Sequence, residues 1–168
     1  MNRAFFFLNV GLFLSFTLFI CDGCGSPSRS RPGLVKASGS VVYNGQPVAG
    51  ANVMFYPETS GPDTGAASAI TDAEGKFELM TDSPKDGALP GKYKITVNKQ
   101  AQYIDGILKA DWEKQNTTET GQVAPYDKDK IKTEYLVPQR YSTLNSSPLV
   151  QEIPAGGIKE IKIELSDD

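Results

Sequence analysis

Residues 40–58 read SVVYNGQPVAGANVMFYPE, two runs rich in β-forming residues (40–43 and 51–56) around a turn-forming segment, 44–50. Asn44-Gly45 tolerates positive φ, Pro47 pre-sets a second turn, and Gly50 lets the chain straighten without a Cβ clash. The segment therefore predicts a strand, a tight reversal and a second strand. A period of two along 51–56 puts Val53 and Phe55 on one face and Asn52, Met54 and Tyr56 on the other. A hairpin this small is marginal alone in water, so other strands must supply a sheet to cover the apolar face.

Those strands are legible on both sides. Upstream, LVKASGSVVY at 34–43 alternates Val35, Ala37, Gly39, Val41 and Tyr43 with polar or small residues apart from Val42. Downstream, 66–71 is a short strand of small residues, and TDAEGK at 71–76 is a hairpin loop. In it Asp72 accepts from backbone N–H groups two residues on, and Gly75 supplies the left-handed residue. Residues 76–81 then turn Phe77 and Leu79 inward and Lys76, Glu78 and Met80 outward. KYKITVNK at 92–99 alternates most cleanly, with Tyr93, Ile95 and Val97 against Lys92, Lys94, Thr96 and Asn98. Residues 148–153 and 159–165, around a Pro-Ala-Gly-Gly turn, read as a closing hairpin. The expected core comprises Val53, Phe55, Phe77, Leu79, Tyr93, Ile95, Val97, Ile161 and Ile163. About seven strands, with turn signals roughly every eight to twelve residues in the first half, predict an all-β, antiparallel β-sandwich.

The amino terminus has a different chemistry. Arg3 gives a short positive region, residues 4–20 are dominated by Phe, Leu, Val and Ile, and LFICDGCGSPS follows at 18–28. This is the layout of a secretory signal peptide. Cys24 follows the small Gly23 and precedes small polar residues, resembling the lipobox of bacterial lipoproteins, although Cys21 and Asp22 stand where Leu and a small uncharged residue are usual. A Cys21/Cys24 redox or metal pair and plain cleavage without lipid are the alternatives, as is an uncleaved membrane helix. The expected division is a lipoprotein signal peptide at 1–23, lipidation at Cys24, a flexible tether at 24–33 and one β-sandwich domain at 34–168. A domain of that size buries enough surface to stand without disulfides.

The 168 residues carry a net charge of −3 with no basic stripe among the aromatics, which argues against a nucleic-acid partner. Histidine is absent, removing the commonest general base and metal ligand. No G-x-S-x-G, H-E-x-x-H or phosphate-binding loop is present, and acid pairs such as Asp127 and Asp129 sit in polar loops. The chain is therefore expected to be non-enzymatic, with no catalytic residue, cofactor or metal.

Residues 100–136 depart from strand patterning. Ile104, Leu108 and Trp112 recur every four residues, predicting a short helical insertion whose apolar stripe packs on a sheet edge. Segments 116–121 and 127–132 read as exposed loop. Trp112, Tyr103 and Tyr126 form a candidate aromatic platform for a sugar ring, since aromatic faces pack well against C–H surfaces.

The series SVVYNGQPVAGANVMFYPE, ITDAEGKFEL and DGALPGKYKITV resembles the transthyretin-like or carboxypeptidase regulatory-like domains of small lipoproteins of planctomycete-type bacteria. LVPQRYSTLNSSPLVQEIPAGGIKEIKIELSD resembles the closing part of those proteins, where a Pro-x-x-Tyr run (Pro138, Tyr141) precedes a final hairpin and a Ser-x-Leu is matched at 147–149. The resemblance spans almost all of residues 40–165 and implies a prealbumin-like, Ig-like Greek-key sandwich. Its motifs are turn and core residues and bring no catalytic residues. The function expected is an extracytoplasmic, membrane-anchored interaction or cell-envelope module, its partners the membrane through a lipid anchor and a protein or a glycan. The alternatives are a carbohydrate-binding module and an accessory domain of a hydrolase system.

Overall fold

Asn44 and Gly45 take the left-handed conformation that the opening turn asks for, at φ 50° and 79°. The structure, a computed structural model, describes residues 31–59, 61 and 64–167. Among them the strands are β1 (Ala37–Tyr43), β2 (Gln46–Pro47), β3 (Asn52–Pro57), β4 (Ala67–Ile70), β5 (Lys76–Glu78), β6 (Gly91–Asn98), β7 (Gln100–Ile104), β8 (Ile107–Leu108), β9 (Ile131–Tyr135), β10 (Val150–Ile153) and β11 (Ile158–Leu165). The α-helix is α1 (Lys109–Gln115), and 3₁₀ turns lie at Lys128–Lys130 and Gln139–Ser142. The fold is an all-β sandwich with a short helix.

One layer has β11 on one edge of β1 and both β2 and β5 on the other; the facing layer runs β10-β6-β3-β4. All seven expected strands are here, as β1, β3, β4, β5, β6, β10 and β11. The nine residues expected in the core are each no more than 3% exposed. Phe55 of one layer meets Phe77 of the other at 6.1 Å between ring centroids and Tyr93 beside it at 6.0 Å, tilted as ring quadrupoles prefer. The Tyr93 hydroxyl donates to the Leu89 carbonyl at 2.8 Å, so its phenol is buried without an unmet donor.

The pairing of these strands differs from expectation in three places. The Asn44-Gly45 turn closes only β2 onto β1, pairing Tyr43 with Gln46 and Val42 with Pro47. Val48 still donates to the Val41 carbonyl at 3.0 Å, but the Val41 N–H is taken by the Gly75 carbonyl at 2.8 Å, and the chain crosses to the other layer, where β3 pairs with β4 and β6 instead of β1. The crossing is fixed by buried Thr71, whose hydroxyl donates to the Val48 carbonyl at 2.6 Å and accepts from the Ala51 N–H at 2.8 Å.

The closing hairpin is likewise not made. β10 pairs with β6, while the Pro154 carbonyl accepts from Gly157 and the Ile158 N–H donates to Lys36, passing the chain to the other layer. There β11 runs parallel to β1, so the sandwich is not wholly antiparallel. The register shifts between Ala37 and Gly39, where a Cβ on Gly39 would stand 2.1 Å from the Ile161 carbonyl oxygen. Only glycine admits that approach.

The third difference is the insertion. Ile104 and Leu108 are not helical: Asp105 and Gly106, at φ 50° and 82°, form a tight turn that pairs β7 with β8. Ile104 is buried at the end of β7, whereas Leu108 stays 40% exposed in β8. The helix begins one residue later. Residues 131–132, expected as loop, open β9, which pairs with β7 and completes a third sheet, β8-β7-β9.

Candidate functional site

The expected platform lies on this third sheet and its helix. No side chain caps α1 at Leu108, and the helix is too short for propensity to hold it. Its support comes from side chains instead. Lys109 and Glu113 form an i,i+4 ion pair at 3.2 Å, and beyond the last turn the Asn116 side chain donates to the Trp112 carbonyl at 2.8 Å. The Ala124 N–H donates to the Asn116 carbonyl at 2.8 Å, returning the chain alongside the helix. Tyr126 then meets Trp112 edge to face, with centroids 5.4 Å apart and planes at 75°. The Lys109 ammonium lies 5.9 Å from the Tyr126 ring centroid, and the Tyr126 hydroxyl reaches Glu113 at 3.5 Å. Glu113 first, and then Tyr126, hold the Lys109 ammonium above its usual pKa range.

Two of the three expected platform residues are therefore brought together. Tyr103 sits on β7, opposite Leu108 on one side and Lys132 on the other, and makes no ring contact with Trp112 or Tyr126. At 75° the Trp112 and Tyr126 rings cannot both lie flat under one sugar face. Beside them, Gln100, Gln102, Leu108, Lys109, Glu113 and Leu136 line an open groove of about 550 Å³. Its ion pair is internally neutralised, and its two glutamines offer hydrogen bonds to a polar ligand.

Cys24 and the leader lie outside the described residues. Among the described residues no group of three or more His, Cys, Asp or Glu side chains could hold a metal, and no helix is long and apolar enough to cross a membrane.

The remaining polar clusters tie the chain to itself. Asp72 accepts from the Glu74 and Lys76 N–H groups at 3.0 and 2.8 Å, as its sequence predicts. Asp86 accepts from the N–H groups of Thr81, Asp82 and Ser83. Buried Ser147 donates to the Ile95 carbonyl at 2.5 Å. At the carboxyl end, Tyr43 and Asn44 donate to Asp167 at 2.5 and 3.0 Å, lowering its carboxyl pKa; the same hydrogen bond is the main cause that raises the Tyr43 phenol. The Tyr141 hydroxyl accepts from the Ser166 N–H at 3.2 Å and from Arg140 at 2.9 Å. Burial alone would raise that phenol, but its hydrogen bonds with Ser166 and Arg140 lower it on balance. Sequence reading missed Asp86, Ser147 and Thr71 in these roles. Only Asp86, set in a Ser-Pro-Lys-Asp-Gly stretch, carried a local turn signal.

No family model matches the chain, and no curated protein matches it. Among solved structures it is similar to a 9R-lipoxygenase from Cyanothece PCC8801, at 11% identity and a TM-score of 0.35, over 82% of this chain and 17% of that one. A likeness that distant carries no argument about activity.

The third sheet thus offers a polar groove and an aromatic pair, and the polar clusters of Asp72, Asp86, Ser147, Asp167 and Tyr141 tie loops and strand ends together.

Proposed function

We propose that the chain is a non-enzymatic, extracytoplasmic module, held to a membrane through acylated Cys24 and acting as an interaction or structural unit of the cell envelope. The observation that supports this best is where the fold starts. Val35 pairs with Ala88 and β1 opens at Ala37, directly behind the expected tether, so the sandwich would stand just off the bilayer. Lys36, Lys85 and Lys159 gather at that end around a groove of about 210 Å³; Lys36 donates to the Lys85 carbonyl, and Lys85 pairs with Glu78 at 3.4 Å. Lysines at that end add electrostatic attraction to a lipid anchor where the facing leaflet is anionic. The test is processing and membrane fractionation of the full chain and of Cys24→Ser. We expect the wild type to be processed and membrane-bound and the variant not to be processed at that site; a variant handled like the wild type overturns the proposal.

A second reading, a carbohydrate-binding module, rests on half-buried Trp112 as a single stacking ring, since Tyr126 stands at 75° to it. It expects a glycan retained on an array by the wild type and lost on Trp112→Ala. An array that retains none removes it.

A further inference from the structure

β9 is the edge of the third sheet: β7 occupies one side, and among the described residues no strand occupies the other. Lys132, Thr133, Glu134 and Tyr135 are all exposed, and neither Lys132 nor Glu134 has an ion-pair partner among the described residues. The Leu136 N–H donates inward to Lys99 at 2.9 Å. By the alternation of an antiparallel ladder, Glu134 and Lys132 also turn their backbone groups toward β7, while Tyr135, Thr133 and Ile131 turn theirs to the open edge. The Ile131 N–H is already used, donating to the Lys128 carbonyl, which leaves its carbonyl and both groups of Thr133 and Tyr135 unpaired by β7. An unpaired edge of this kind is a template for another strand.

We propose that this edge pairs with the same edge of a second copy of the chain, antiparallel and centred on Thr133. In that register Lys132 stands opposite Glu134 of the other copy, twice over by the two-fold symmetry, and in the closer, non-hydrogen-bonded type of pair. Ile131 faces Tyr135, and Thr133 faces its twin. The backbone groups match the same register. Thr133 exchanges both hydrogen bonds with its twin, and the Tyr135 N–H donates to the Ile131 carbonyl across the axis, so the occupied Ile131 N–H is not needed. Centring the pair on Lys132 or on Glu134 instead sets lysine against lysine or glutamate against glutamate. The charge pattern thus selects one register and selects a second copy as the partner. Two three-stranded sheets would become one of six, with exposed Tyr135 at the seam. The inference does not rest on the membrane reading.

The test is sedimentation velocity of the full chain over a concentration series, in a mild detergent that keeps the apolar leader dispersed. The wild type should show a concentration-dependent dimer. Lys132→Glu and Glu134→Lys each set like charges opposite, and each should weaken the dimer by about tenfold or more. The double exchange, Lys132→Glu with Glu134→Lys, restores opposite charges and should restore the dimer. A wild type that is monomeric throughout, single variants that associate like the wild type, or a double exchange that does not recover would each overturn the proposal.

Discussion

At Gly39 a methyl group would meet the Ile161 carbonyl oxygen at 2.1 Å and the Ile161 Cβ at 2.7 Å, and both belong to a strand that cannot retreat without opening the β1–β11 pair. Gly39→Ala should therefore cost roughly 1–3 kcal/mol or more by urea unfolding. Ile95→Ala should cost roughly 2–5 kcal/mol, because its side chain is buried between the layers and leaves a cavity. Lys94→Ala, on the outward face of the same strand, should stay within about 0.5 kcal/mol. Asp167 makes a pH-dependent contribution. Its folded pKa is lowered by the hydrogen bonds from Tyr43 and Asn44, so its stabilisation is present above the ordinary carboxylate range and lost as pH falls through the lowered value. The gap in stability between wild type and Asp167→Asn should shrink on acidification below about pH 4. A gap that widens there would contradict the assignment.

Elements whose signal is local were legible in the sequence. Asn44-Gly45 made its turn, Asp72 and Gly75 closed the β4–β5 connection, and the alternation of 92–99 became β6. Asp105-Gly106 carries the same kind of signal as Asn44-Gly45, yet the four-residue spacing of Ile104, Leu108 and Trp112 masked it. That turn is why Tyr103 falls on a strand away from Trp112, whereas Trp112 and Tyr126 do meet. Pairing partners were not legible, because a period of two says which face a residue takes and nothing about which strand lies beside it. The same holds for Thr71 and Ser147, whose hydroxyls reach carbonyls far along the chain. Gly106 has open space around it but positive φ, so Gly106→Ala should cost about 1 kcal/mol. The loss should appear as faster amide exchange in β7 and β8 with β3 and β6 unchanged; equal loosening of β6 would mean that the third sheet is not a separate cooperative unit.

Across the whole molecule, the parallel β1–β11 pair joins the first strand of the sandwich to the last and places Ile161, Ile163 and Leu165 in the core. Deleting residues 158–168 should then unfold both layers, read as loss of amide protection in β6; retained protection there would show that the layers do not depend on this closure. The proposed function makes the sandwich a body carried on a tether, and the chemistry it proposes is acylation at Cys24. Two or more acyl chains hold a protein at a bilayer where one does so only marginally, each buried CH₂ contributing about 0.8 kcal/mol. The most direct measurement is mass spectrometry of the mature amino terminus isolated from membranes. The account predicts a terminus at Cys24 bearing acyl chains on its sulfur; an unmodified terminus, or one at any other residue, would contradict it.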